Sequence, residues 1–143
     1  MLEGLFEEDR KGLQKLYKMA DELHGKSKHR RLYNVLPTIQ RLDNDSLDTG
    51  QYFIQTVDYF YEISVSLRYM TESSYKFIDN NHEGFSKEQI EDLKLLGDNL
   101  LAIYNDFEGM LKTNNYLGLE NIKERRAQYS ICMPNWLKNK LHA

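Results

Sequence analysis

One cysteine, two prolines and eight glycines in 143 residues leave little material for several kinds of protein. Cys132 alone can form no intramolecular disulfide framework and no thiolate zinc site. With so few chain breakers the sequence cannot supply the turn every ~8–12 residues that a β-sandwich or barrel requires. Apolar residues are also scarce, at 41%. No run approaches the ~18 consecutive apolar residues of a membrane span. The first residues, MLEGLFEEDRKG, contain neither the basic nor the apolar stretch of a signal peptide. The net charge of -3 argues against a nucleic-acid binder that depends on bulk basicity. What remains is a charged sequence suited to long helices with narrow apolar stripes, in a soluble, intracellular-type domain.

Helical spacing recurs along most of the chain. Leu13, Leu16, Tyr17, Ala20 and Leu23 begin a pattern that resumes at Leu32, Tyr33, Leu36, Ile39 and Leu42. It predicts one helix over 5–44 with weak points at Gly25 and Pro37, or two helices. The largely polar segment 42–50 predicts a turn, with Asp48 as an N-cap and Gln51 as its partner. A second helix is expected over 49–80. It carries Phe53, Val57, Phe60, Ser64, Leu67, Tyr75 and Ile78 on one stripe, and Tyr52, Tyr59, Ile63 and Met70 on an adjacent one. So wide an apolar surface suits the centre of a bundle, and its excess points to a homodimer.

The strongest local signal is Phe85-Ser86-Lys87-Glu88-Gln89-Ile90. Ser86 and Gln89 can form a capping box, with Phe85 and Ile90 at the two staple positions. A third helix therefore starts at Ser86 and ends at Thr113-Asn114-Asn115. A fourth starts near Leu117 or Leu119, and its apolar pattern fades at Glu124-Arg125-Arg126. These elements predict an all-α, up-down antiparallel bundle of three long helices and a shorter fourth, in a single domain over 1–143.

Few constellations point to chemistry. Asp43, Asp45 and Asp48 fail the calcium-loop pattern, because the sixth position is Asp48 and the twelfth is Ile54. Asp58 and Glu62, four apart, could contribute to a metal site. A di-metal bundle needs Glu-x-x-His pairs, and none is present. Asp79, His82 and Glu83 read as a polar helix end. No phosphate loop, nucleophile elbow or zinc-protease motif occurs, so no enzyme is expected. The run Lys26, Lys28, His29, Arg30 and Arg31 is a dense positive patch that could meet an acidic partner or anionic lipid headgroups.

The stretches Asp45-Ser46-Leu47-Asp48-Thr49-Gly50-Gln51-Tyr52-Phe53-Ile54-Gln55-Thr56-Val57-Asp58-Tyr59 and Asp79-Asn80-Asn81-His82-Glu83-Gly84-Phe85-Ser86-Lys87-Glu88-Gln89-Ile90-Glu91 resemble the cytoplasmic C-terminal region of bacterial sodium/phosphate cotransporter-family proteins. That region is a helical bundle similar to the phosphate-uptake regulator PhoU. The resemblance spans roughly residues 3–125, and 126–143 form an atypical tail. It implies a non-catalytic regulatory domain on the cytoplasmic side of the inner membrane, with the membrane spans outside this sequence and Met1 a downstream or artificial start. The implied partners are the transmembrane part of the same transporter or the membrane surface, through Lys26, Lys28, Arg30 and Arg31. PhoU proteins bind metal clusters through Glu/Asp-x-x-x-Asp motifs. Here Tyr61 and Val65 fall at the carboxylate positions, and Asp58 and Glu62 sit three residues earlier, ~60° around a helix. The resemblance therefore carries no metal or cofactor over.

Overall fold

The computed structural model describes residues 1–41, 47–80, 84–131 and 133–134, and every regular element among them is helical. In chain order these are α1 (Leu2–Phe6), α2 (Arg10–His29), a π-helical turn (Arg30–Asn34), α3 (Val35–Ile39), α4 (Leu47–Asp79), α5 (Lys87–Thr113) and α6 (Leu119–Ile131). The chain divides into two compact units, 3–83 and 84–143. Among the described residues no helix is long and apolar enough to cross a membrane.

The first unit departs from the expected single helix at its start. Glu8 adopts a left-handed conformation, φ 55°, and the Asp9 amide donates back to the Gly4 carbonyl at 2.8 Å. This six-to-one bond closes α1. Asp9 then caps α2, its carboxylate accepting from the Gly12 amide at 3.0 Å. Gly25 causes no interruption, because α2 runs through it to His29.

Pro37 disturbs the backbone one turn upstream of its own position. A proline gives no amide to the carbonyl four residues back, and its ring crowds that carbonyl. Here that residue is Tyr33, inside the π-helical turn, where the wider spiral makes room. The helical path thus continues into α3 with Pro37 inside it.

α2 and α4 form an antiparallel hairpin. Three ion pairs cross it: Arg10 with Asp79, Asp21 with Arg68 at 2.6 Å, and Arg31 with Asp58 at 2.7 Å. Eleven residues forward on α2 match eleven back on α4, and the next ten match ten. The register therefore holds through the first residues of the π turn. Each pair is substantially solvated and worth ~1 kcal/mol at most, so its main effect is alignment.

The seam between these helices is narrow and partly polar. On α2 it follows Leu13, Tyr17, Ala20, His24 and Ser27, and it continues to Arg31 of the π-helical turn. On α4 it follows Val57, Tyr61, Ser64, Arg68, Thr71, Tyr75 and Ile78. All but Arg31 are buried or half-buried, and the steps alternate between three and four, as in a coiled coil. Ser64 and Thr71 are buried, and so is Ser74 nearby, while Tyr52, Tyr59 and Phe60 stand in solvent. The aromatics expected at a bundle centre are thus divided: Tyr61 and Tyr75 lie in the seam, and Tyr52, Tyr59, Phe60 and Tyr69 lie outside it. Small hydroxyl residues can take the seam because each satisfies itself. Ser64 donates to the Tyr61 carbonyl at 2.6 Å, Thr71 to Leu67 at 2.9 Å and Ser74 to Met70 at 2.8 Å. The Tyr17 and Tyr75 rings stack across the seam, 6.4 Å between centroids.

α4 begins at Leu47, so Asp48 lies within its first turn and cannot be its N-cap. The position before Leu47 falls outside the described residues. Towards the other end, Lys76 donates to Glu72 at 2.7 Å. That bond holds the Glu72 carboxyl below its ordinary range, opposed by desolvation and aided by the Lys76 and Arg68 charges. The same bond raises Lys76, and the bond to Asp21 raises Arg68. A depressed carboxyl stabilises the fold above its unfolded value, and this contribution disappears as pH falls through the folded one. Glu72→Gln should therefore flatten the loss of melting temperature below about pH 4.3. An acid limb as steep as that of the unaltered protein would exclude the pair as a contributor.

In the second unit α5 starts as the sequence predicts. The Ser86 hydroxyl accepts from the Gln89 amide at 3.2 Å, and the Gln89 side chain accepts from the Ser86 amide at 3.0 Å. Ser86→Ala should cost ~1 kcal/mol in urea unfolding. If Gln89→Ala alone costs as much as the double change, the two halves of the box are not independent. Asn114 closes α5 in the left-handed conformation, φ 50°, which asparagine tolerates better than most residues. α6 then runs to Ile131, past the fading of its apolar pattern, and Arg125 meets Asp106 of α5 at 3.1 Å.

Candidate functional site

The four cations expected to form one patch are divided by helix geometry. A residue turns ~100° around the axis, so Lys26 and Lys28 point ~160° apart. Arg31 turns into the seam. Its Nε donates to Asp58 at 2.7 Å, and its guanidinium carbon lies 4.7 Å from the centre of the Tyr61 ring. The His24 ring is 5.4 Å from the other contact of this group, Tyr61, and its Nδ1 is buried with no hydrogen-bond partner among the described residues. Arg31 therefore closes the hairpin. Lys28 lies on a flank of α2, Lys26 remains exposed on its outer face, and Arg30 is exposed at the start of the π-helical turn that continues it.

That outer face has further members. Lys11, Lys15 and Lys18 are exposed and precede Lys26 and Arg30 at steps of four and three, with Glu22 as the acid in the row. From Lys11 to Arg30 the row extends ~28 Å along the rod. None of these five cations makes an ion pair among the described residues. The other acid of α2, Asp21, is taken by Arg68. Residues 10–31 hold eight of the chain's 19 Lys and Arg, but two of its 22 Asp and Glu. Net acidity thus hides one strongly basic element. Reading only the dense run at 26–31 misses Lys11, Lys15 and Lys18. Their four-and-three spacing opposite the Leu13-Tyr17-Ala20 stripe is the signal that finds them.

Apolar residues border the row. Met19 and Leu23 are 55% and 44% exposed, and Tyr33 packs on His29 with ring centroids 4.8 Å apart.

The other candidates gather less. Asp58 is engaged by Arg31, and Glu62 beside it is exposed. Asp79 is engaged by Arg10, while His82 and Glu83 lie outside the described residues. Asp43, Asp45 and Cys132 lie outside them as well, as does the Asp48 side chain. Among the described residues no three His, Cys, Asp or Glu side chains come together in a way that could hold a metal ion. The second unit has a polar cleft of about 350 Å³ lined by Asn99, Asn121, Glu124, Arg125, Gln128 and Tyr129. Arg125 there is already paired with Asp106. No lining residue is a serine, cysteine or histidine that could serve as nucleophile with a base.

Compared with models of known families, with curated proteins and with solved structures, the chain matches none.

Proposed function

We propose that the chain is a non-catalytic interaction domain of the PhoU-like kind, serving as the cytoplasmic regulatory part of a sodium/phosphate cotransporter-type membrane protein. It works by docking a helical surface against the transmembrane part, the membrane or a second copy. The observation that carries this reading is the outer face of α2, where cations form a row with no ion pair among the described residues, on a rod of fixed register. A surface of this kind suits docking better than catalysis, because its charges are solvated and converge on no enclosed space. The all-helical architecture and the segment similarity around α4 and the start of α5 are in keeping with it.

The test is binding of the purified chain to a detergent-solubilised sodium/phosphate cotransporter lacking this region, with transport then measured in reconstituted vesicles. Saturable binding that alters phosphate uptake supports the reading. Absence of binding, together with a reading frame upstream of Met1 that encodes no apolar spans, would overturn it.

A metal-binding helical protein using Asp58, Glu62 and a neighbouring carboxylate is the second reading. Stoichiometric iron, manganese or zinc in the purified chain, lost on Asp58→Ala, would favour it. The Arg31–Asp58 pair weighs against it, since a ligand carboxylate would have to release its arginine.

A further inference from the structure

We infer that the outer face of α2 lies flat on an anionic lipid bilayer, with Lys11, Lys15, Lys18, Lys26 and Arg30 at the headgroups and Leu23 entering the boundary below them. This rests on the docking reading above and names the partner of its basic face.

The shape of the row favours a surface over a pocket. Its cations run for ~28 Å along one side of a rod, spread over about a third of its circumference, and a rod rests on a plane along one side. Its composition points the same way. Four of the five cations are lysines, compact hydrated charges that bind anions without the fork geometry of arginine. Lysine is depleted at protein–protein interfaces. The one arginine of the run that does meet a carboxylate, Arg31, is the one turned inward to Asp58.

Charge complementarity selects an anionic surface, and the apolar border selects a lipid one. Met19 and Leu23 are exposed beside Lys15, Lys26 and Arg30 on the same side of the helix. Tyr33 and His29 place an amphipathic ring pair at the end of the row. A soluble acidic partner would use the cations and leave Leu23 idle. A bilayer uses both, through headgroup attraction and shallow burial of the apolar side chains. Glu22 is a local cost within the row.

Each lysine near a charged bilayer contributes about a five-fold gain in partition. The full chain is mixed with sedimentable vesicles of phosphatidylcholine, with or without one third phosphatidylserine. It should bind the anionic vesicles and leave the neutral ones. Binding should fall steeply between about 0.05 M and about 0.5 M sodium chloride, as screening shortens to a few ångströms. K15Q/K26Q should weaken it roughly twenty-five-fold. K28Q/K76Q removes the same net charge from the flank of α2 and from α4, off the row, and should change it by less than about three-fold. Leu23→Ser should weaken vesicle binding while leaving any binding to soluble polyglutamate unchanged. Circular dichroism checks that each variant keeps its helix content.

No binding to anionic vesicles, equal binding to neutral ones, or equal loss in the two lysine pairs would overturn the inference. So would polyglutamate binding with no vesicle binding, which would identify an acidic protein as the partner. The docking reading has a separate fate. Binding to the solubilised cotransporter without vesicle binding refutes only the lipid contact, whereas vesicle binding without cotransporter binding refutes only the cotransporter assignment.

Discussion

Leu13→Ala should destabilise the protein by ~2–5 kcal/mol in urea unfolding followed by circular dichroism. Leu13 is fully buried in the first turn of α2, and among the described residues of the first unit the other buried hydrophobic side chains are Leu5 and Ala20. It also links two elements. Gly4 of α1 presents its backbone to the Leu13 side chain, where an added Cβ would sit at 3.7 Å. Truncation removes three carbons from this contact and leaves a gap that the short α1 alone can collapse to fill. Against a stability of ~5–15 kcal/mol for a domain, this is a large share. Leu23→Ala makes the same chemical change on the same helix at a 44% exposed position and should cost under ~1 kcal/mol. Equal costs at the two positions would mean that Leu13 is not the anchor of the hairpin.

The elements that could be read from the sequence are those specified locally. The Ser86–Gln89 box involves residues three apart and appears as predicted. The bounds of α4 and α5 follow from propensity and breakers, and agree within about two residues. Features decided by tertiary pairing could not be read this way. The stripe of α4 read from hydrophobicity shares Val57, Ser64, Tyr75 and Ile78 with the seam, but its Phe60 and Leu67 are exposed while Tyr61, Arg68 and Thr71 take the inner positions. The break at Glu8 needs a non-glycine residue in the left-handed region, which no residue type announces. Pro37 did signal an irregularity, but the strain appears at the carbonyl it crowds and not at the proline itself. The basic run misleads for a simple reason. Neighbours in sequence point in different directions on a helix, so Arg31 meets Asp58, 27 residues away, while Lys26 aligns with Lys15.

The seam leads to the second large effect, at Ser64. This residue is 1% exposed, and the antiparallel register sets it beside His24 and Ser27 of α2. Its hydroxyl donates to the Tyr61 carbonyl of its own helix, so no group across the seam depends on it. Ser64→Ala should accordingly be almost neutral, because the lost bond is local and alanine is the better helix former. Ser64→Leu should cost ~1–3 kcal/mol, since three added carbons must fit where a small residue lets the backbones approach. Pushing the helices apart also lengthens the Arg31–Asp58 contact and lifts the guanidinium from the Tyr61 ring. Double-mutant cycles with Asp58→Ala measure that link. In the Ser64→Leu background the added cost of Asp58→Ala should shrink, because its pair is already weakened. A leucine that raises the melting temperature, or a cycle with no coupling, would show that the small residues do not set the spacing of this hairpin.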